Sequence, residues 1–424
     1  MTAGEDIKAL DQFLAFAPPL MGREEEAEIL AAVRSGWLTT GPRAERFEQE
    51  LAAFLGSGRG LAVSSCTAAL HLGLKVLGVG PGQGVLTTPL TFASTAHAVC
   101  YLGARPYFAD IDPATGNLDP GEVRRFFSEE CAPGPDGRPR HGRTGDLIGT
   151  LLPVHYGGHP ADLEAFWALA EEFRLDILED AAHAIGARYR GLYLGHPDLK
   201  AARAEGSRGL CAFSFYATKN LATGEGGYLT ATEPELLDKA RVLSMYGISD
   251  SRRIWGRYAP RGTWVYDVAE LGFKYNFTDL QAALGLHQLA RLTDFNRRRA
   301  EHAAAYNEAL EGLDDLVTRP EPRPGVESAW HLYPLRLKPG ALSKSRDEFI
   351  EILRDHRIGS SVLFIPLHYH SYYRQALGYG EGSFPEAENF FKNLINLPLA
   401  PAHSPERIAR AAEILAALLK KYRR

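Results

Sequence analysis

The chain is 424 residues long, 45% hydrophobic and 23% charged, with a formal net charge of −5. That length allows a large core divided between two lobes, and the slightly acidic balance argues against a nucleic-acid binder, which carries clustered Lys and Arg. Cys66, Cys100, Cys131 and Cys211 are widely spaced without a CxxC pair, so neither a disulfide framework nor a metal site is expected, and no stretch approaches the roughly 18 uncharged apolar residues of a membrane span.

The opening MTAGEDIKALDQFL lacks the basic start and apolar run of a signal peptide, and a cytoplasmic protein is expected. Next, Gly60–Ser64 (GLAVS) reads as a strand, followed directly by a helix over Ala68–Leu77. Gly84–Thr88, Arg105–Ala109, Asp146–Val154 and Leu175–Leu178 repeat the strand signal, with a helical pattern at Ala161–Phe173. Such alternation predicts an α/β domain with a mostly parallel sheet. The Pro/Gly-rich segment Cys131–Gly145 reads as an exposed loop, and Ala201–Arg208 as a second insertion. Phe213–Tyr216 and Gly227–Ala231 read as further strands, antiparallel to the rest. A long helix is expected over Asp279–Leu313, with Asn296–Arg299 (NRRR) forming a solvated face. Beyond Pro320, strands at His331–Leu337 and Ser360–Leu363 and helices at Ser345–His356 and Pro405–Lys420 predict a smaller α+β domain. The division is a large α/β domain over 18–280 and a small C-terminal domain over 281–424.

Three segments carry chemistry. In SSCTAALHL (64–72) small polar residues lead from a strand into a helix, which suits either an ordinary N-cap or an anion held by free N–H groups and the Thr67 hydroxyl. In LEDAAHAIG (178–186) Asp180 ends a strand, where it either caps a helix or pairs with a cationic ring nitrogen, and His183 follows one turn later, placed to contact a flat ring. In LCAFSFYATKNLATGEGG (210–227) Lys219 stands among apolar and small residues; it is either a solvated surface charge or a desolvated nucleophile able to form a Schiff base. Taken together, with Ser214 able to reach the same anion as Thr67, the set matches what pyridoxal 5′-phosphate (PLP) requires: an amine for its aldehyde, an anion for its ring nitrogen, and donors for its phosphate.

Ordered blocks along the chain resemble the DegT/DnrJ/EryC1/StrS family of PLP-dependent sugar aminotransferases, above all the branch that aminates C4 of nucleotide-linked 4-keto sugars. They are SGWLTTGPRAERFE (35–48), SSCTAALHLGL (64–74), TPLTFAST (88–95), VHYGGHPAD (154–162), EDAAHAIGA (179–187), SFYATKNLATGEGG (214–227), GFKYNFTDLQAA (272–283), AWHLYPLRL (329–337) and IGSSVLFIPLH (358–368). The resemblance implies the type I, aspartate aminotransferase-like fold of PLP-dependent transferases. It implies that Lys219 holds PLP as a Schiff base and shuttles the proton, that Asp180 pairs with the ring nitrogen, and that His183 contacts the phenolic side. It places Thr67, the Ala68 amide and Ser214 on the phosphate and Phe92 on the ring face. Asn276 would reach the phosphate of a neighbouring subunit in an obligate homodimer, and Tyr216, Lys274 and His331 would contact the sugar nucleotide. L-Glutamate is the implied amino donor, leaving 2-oxoglutarate. Related deoxysugar dehydratases carry His at the lysine position; this chain keeps Lys219, which favours transamination. The 131–145 insertion departs from the compact family pattern and raises the question whether it shapes the sugar pocket.

Overall fold

A computed structural model describes residues 7–200, 206–249 and 267–424. Its central sheet contains β1 (Leu61–Val63), β2 (Gln83–Thr87), β3 (Arg105–Phe108), the hairpin β4 (Cys131–Pro133) and β5 (Pro139–His141), β6 (Leu147–Leu152) and β7 (Asp176–Asp180). After a small outlying hairpin, β8 (Arg188–Tyr189) and β9 (Leu192–Tyr193), come β10 (Gly209–Ser214) and β11 (Gly227–Ala231). The order across the sheet is β1-β11-β10-β7-β6-β2-β3. Strands β3, β2, β6, β7 and β10 run parallel, and β11 is reversed, antiparallel to both β10 and β1.

Strands buried on both faces read as unbroken apolar runs, which is why short segments such as LIGTLL and GLCAFS form them. Successive side chains go to opposite cores: Leu151, Ile177 and Phe213 to one, Leu152, Leu178 and Ala212 to the other. After α1 (Arg23–Ser35), the first core is covered by α2 (Pro42–Leu55); the second by α3 (Cys66–Val76) and α4 (Ala93–Cys100). Helices α5 (Pro120–Glu130) and α6 (Leu163–Phe173) return to the first, and α7 (Pro234–Ser244) to the second. The sheet is thus wrapped on both sides, as the alternating pattern predicts.

Several expectations are corrected. The segment 213–216 is not a separate antiparallel strand: β10 starts at Gly209, runs parallel to β7, and ends at Ser214, where the chain turns away. Residues 131–145 are not a loop but the β4–β5 hairpin, whose Pro135-Asp136-Gly137 tip has Gly137 at φ 74°. It is pinned by His141, buried against Tyr107 at 4.6 Å between ring centroids, and by Arg140 opposite Leu147. Leu147 opens β6 whereas Asp180 closes the parallel β7, so the hairpin lies at the end of the sheet away from Asp180. Most of the Ala201–Arg208 insertion lies outside the described residues.

A 31-residue helix, α8 (Asp279–Ala309), starts at a Thr278/Gln281 capping box. Its first half (Ala282, Leu286, Leu289, Leu292) packs on the sheet, while Ala303 and Tyr306 enter a third core with α9 (Arg346–Asp355) and α12 (Pro405–Lys421); α10 (Ser371–Leu377) and α11 (Pro385–Asn393) belong to a further apolar cluster. The NRRR run is not a solvated face throughout. At 100° per residue its side chains fan out, so Arg297 pairs with Asp294 and Glu301 at the surface while Arg299 is buried. Residues 360–363 form no strand, only a Ser361–Asn396 bridge, because the segment crosses a separate apolar cluster containing Leu363 and Phe364. Among the described residues no helix is long and apolar enough to cross a membrane.

Candidate active site

The carboxyl ends of the parallel strands gather the chemistry. Asp180 closes β7 and Ser214 closes β10, and both side chains are buried. Helix α3 begins just after β1, capped by Ser65 Oγ, which accepts the Ala68 N–H at 3.1 Å. The reversed β11 lies hard against that helix start: a Cβ on Gly227 would meet the Ser65 carbonyl carbon at 2.5 Å, so only glycine fits. The Ala68 amide is therefore already engaged, while the Cys66 and Thr67 N–H groups have no acceptor among the described residues.

Asp180 accepts the Thr95 hydroxyl at 2.8 Å on one oxygen and the Ala182 N–H at 3.1 Å on the other. Thr91 Oγ1 lies 2.8 Å from Thr95 Oγ1. Burial pushes the Asp180 carboxyl above the ordinary carboxylate value, against the pull of these hydrogen bonds and of the Lys219 charge. No ion-pair partner for it stands among the described residues, so a cation beside it would relieve a buried charge.

Lys219 follows β10 in a tight turn, its N–H donating to Tyr216 O at 2.8 Å, with its side chain half-buried. Its amine is pushed down to about 8, first by burial, with Cys66 and Asp180 opposing and the Arg299 guanidinium assisting. At pH 7 about one amine in ten is then neutral, against roughly one in 3,000 for an ordinary lysine. Lys219 and Asp180 lie within reach of each other's charge.

His183 and His331, far apart in sequence, are neighbours: their ring centroids are 4.4 Å apart, and His183 also stacks on Phe364 at 5.5 Å and 20°. His183 Nδ1 accepts the Gly157 N–H at 3.3 Å, which leaves Nε2 as the protonated nitrogen of the neutral ring. Burial and the Lys219 charge hold His183 well below the ordinary histidine value. A Gly-Gly turn joins the two histidine segments. Gly157 O accepts the Leu332 N–H at 3.0 Å and Gly158 O the Ala329 N–H at 2.9 Å. Gly158 has φ 90°, and a Cβ there would lie 2.8 Å from His183 O and 2.9 Å from His331 N.

The other expected residues lie at the rim or beyond it. Phe92 is 61% exposed, 5.9 Å from Phe364, and Tyr216 is 47% exposed beside Ser214. Lys274 is exposed, its ammonium 5.5 Å from the Tyr246 ring. Asn276 donates to Thr40 Oγ1 at 2.8 Å and bridges to Val63, lining a cleft of about 790 Å³ with Trp37, Glu48 and Arg241. Thr95, Phe364 and Asn220 belong to the site but carry no local sequence signal; Thr95 sits in the TPLTFAST block, where a lone helix-start threonine reads as a cap. A buried unpaired carboxylate, a partly neutral lysine and free helix-start N–H groups fit a cofactor with a cationic ring nitrogen, a carbonyl and an anionic tail. Among the described residues no three His, Cys, Asp or Glu side chains gather as a metal site would need.

A family model described as the DegT/DnrJ/EryC1/StrS aminotransferase family matches residues 19–416. The spore coat polysaccharide biosynthesis protein SpsC of Bacillus subtilis (strain 168) is 43% identical over 416 residues, covering 98% of this chain and 99% of its own. Among solved structures, the PLP form of Spr1654 from Streptococcus pneumoniae superposes with a TM-score of 0.82 at 28% identity, covering 96% of this chain and 99% of that one. The sugar aminotransferase CalS13 from Micromonospora echinospora gives a TM-score of 0.79 at 28% identity, covering 95% and 99%.

Proposed function

The chain belongs to the DegT/DnrJ/EryC1/StrS aminotransferase family, and from that premise we propose that it moves an amino group from L-glutamate to C4 of a nucleotide-linked keto sugar. It is a sugar transaminase, and its cofactor is PLP. Sugar chemistry is supported by the company it keeps: SpsC is named for polysaccharide biosynthesis and CalS13 as a sugar aminotransferase. The single observation that carries the reading is a partly neutral Lys219 within reach of the charge of a buried Asp180 that has no ion-pair partner among the described residues.

When bound, PLP supplies an aldehyde that condenses with amines and a pyridinium ring that draws electrons from the donor's Cα–H bond. The protein does the rest. Lys219 Nζ attaches the cofactor; once free, it is the base able to take the Cα proton, since its lowered pKa leaves a usable neutral fraction at pH 7. Asp180, aligned by Thr95 and Ala182, keeps the ring nitrogen protonated. His183 offers Nε2–H to the phenolic oxygen. Thr67, Ser214 and the Cys66 and Thr67 N–H groups hold the phosphate, with the Ala68 amide supporting them through the Ser65 cap. Phe92 covers the ring, and Tyr216 and His331 meet the sugar nucleotide. Lys274 meets the sugar nucleotide as well, and Asn276 acts across a homodimer, the cleft beside it receiving the second copy. The cofactor then sits in the large unit, 18–280, with 281–424 closing over it.

The test loads the purified chain with PLP and L-glutamate and offers 4-keto and 3-keto sugar nucleotides, reading products by mass. A C4 amine is expected. Turnover confined to 3-keto substrates overturns the C4 assignment, and turnover of none overturns the nucleotide-sugar reading. Lys219→Ala is expected to bind PLP yet lose at least about 10³-fold in kcat; full turnover would move the proton role to another group.

A further inference from the structure

Helix α8 reaches into the site from behind, through two side chains one turn apart. Asn296 Nδ2 donates to Ile185 O at 3.0 Å, in the segment that carries His183. Its Oδ1 accepts Asn220 Nδ2 at 2.8 Å, and Asn220 is the residue after Lys219. Arg299 Nη1 donates to Trp330 O and His331 O at 3.5 and 3.4 Å. The two residues are spaced i, i+3, so they share a face of the helix. One rigid element therefore holds the lysine loop, the His183 loop and the His331 segment at once.

The network also sets a tautomer. Asn220 Nδ2 is spent on Asn296 Oδ1 and on Ala329 O at 2.6 Å, so its Oδ1 is an acceptor for His331 Nδ1 at 3.1 Å. His331 Nδ1 thus carries the proton, and Nε2 presents a lone pair.

Arg299 is unusual in its own right. It is buried, its Nε has no partner, and no carboxylate pairs with it among the described residues. Isolated cations are costly to bury, and the protein keeps this one where its charge reaches Lys219. The other groups facing Lys219 are Cys66 from α3, Asp180 and His183 from the end of β7, and His331.

We propose that Asn296 and Arg299 are positioning residues for the reacting lysine: Asn296 fixes the Lys219 loop against the His183 loop, and Arg299, hydrogen-bonded to the Trp330 and His331 carbonyls, sets an unpaired cation where it disfavours a second positive charge on Lys219. This rests on Lys219 being the cofactor lysine, as proposed above.

The test uses the full-length chain. Trace acetylation of Lys219 across pH 6–10 in the cofactor-free protein, read by peptide mass, reports its titration midpoint without any activity measurement. The wild type is expected near 8. Arg299→Met is expected to raise the midpoint by about half to one pH unit, and Arg299→Lys to restore it within about 0.2. Asn296→Ala leaves the charge in place, so its midpoint stays put while the loaded enzyme's kcat falls about 10- to 100-fold with the donor KM within about twofold. Should Arg299→Met fail to fold, Arg299→Gln, which retains amide donors without the charge, carries the same measurement. An unmoved midpoint in the charge-free variants, or full kcat in Asn296→Ala, overturns the proposal. Borohydride treatment of the wild-type holoenzyme separates the two levels. Absence of a cofactor adduct on Lys219 overturns the underlying reading, whereas an adduct with an unmoved midpoint overturns only the positioning role.

Discussion

Replacing Thr95 with Val removes the hydroxyl beneath Asp180 while nearly preserving shape. Thr95 is fully buried and its Oγ1 lies 2.8 Å from Asp180 Oδ2, so the bond is a charge-assisted one sheltered from water. Such bonds contribute about 1.5–3 kcal/mol to the charged form. Their loss raises the Asp180 pKa by about one to two units, on top of the rise that burial already imposes. A carboxylate that ionises less readily holds the ring cation less firmly, and kcat is expected to fall about 10- to 100-fold, with the acid limb of the pH–kcat profile moving up by a similar one to two units. Thr95→Ser, which keeps the hydroxyl, is expected to stay within about threefold of wild type. The assay is single-turnover conversion of L-glutamate by the loaded enzyme from pH 5 to 9, with circular dichroism as the folding control. If a folded Thr95→Val keeps both wild-type kcat and the wild-type acid limb, Asp180 does not depend on that hydroxyl and the account of its charge is wrong.

Two other changes bear on different parts of the site. Gly158→Ala places a Cβ 2.8 Å from His183 O and 2.9 Å from His331 N, at a residue with φ 90°; both neighbours are backbone and cannot swing aside. A loss of about 2–4 kcal/mol in urea denaturation is expected, and a loss below about 0.5 would mean the turn is looser than it looks. Asp180→Asn tests linkage in the cofactor-free chain. Burial holds the folded carboxyl above its ordinary value of 3.8, so the folded state binds the proton more tightly and this group's contribution to stability falls as pH rises through that window. The Tm of Asp180→Asn minus that of wild type should therefore grow more positive from pH 4 upward and then level off; a difference that shrinks with pH contradicts the sign.

What could be read from the chain, and what could not, follows from how local each signal is. Alternating apolar runs and amphipathic stretches report burial one element at a time, so β2, β6, β7 and α6 were legible to within a few residues. Strand direction was legible only in part: Gly227–Ala231 runs antiparallel as expected, but β10 runs parallel to β7, a choice made by its connections rather than by its own residues. The 131–145 hairpin was missed for a related reason: its turn chemistry is visible, but its anchoring on Tyr107 and Leu147 is not. Lys219 and Asp180 sit in dense local motifs, each next to its own strand end, and could be named directly. Thr95, Asn220 and Arg299 act through partners 85, 111 and 32 positions away, and a side chain whose meaning lies in so distant a partner looks like a cap, a loop amide or a surface charge. Arg299 shows the cost most clearly. Within NRRR it is one of three identical residues, and only the rotation of α8 distinguishes the arginine turned into the protein from the two turned toward solvent and acidic neighbours. The groups proposed to bind and react are thus held at or just after strand ends, whereas Asn296 and Arg299, proposed to position them, come from a helix whose register no local pattern reveals. Substitutions behind the site, on α8, are accordingly where altered chemistry is to be sought without any change in the residues that touch the substrate.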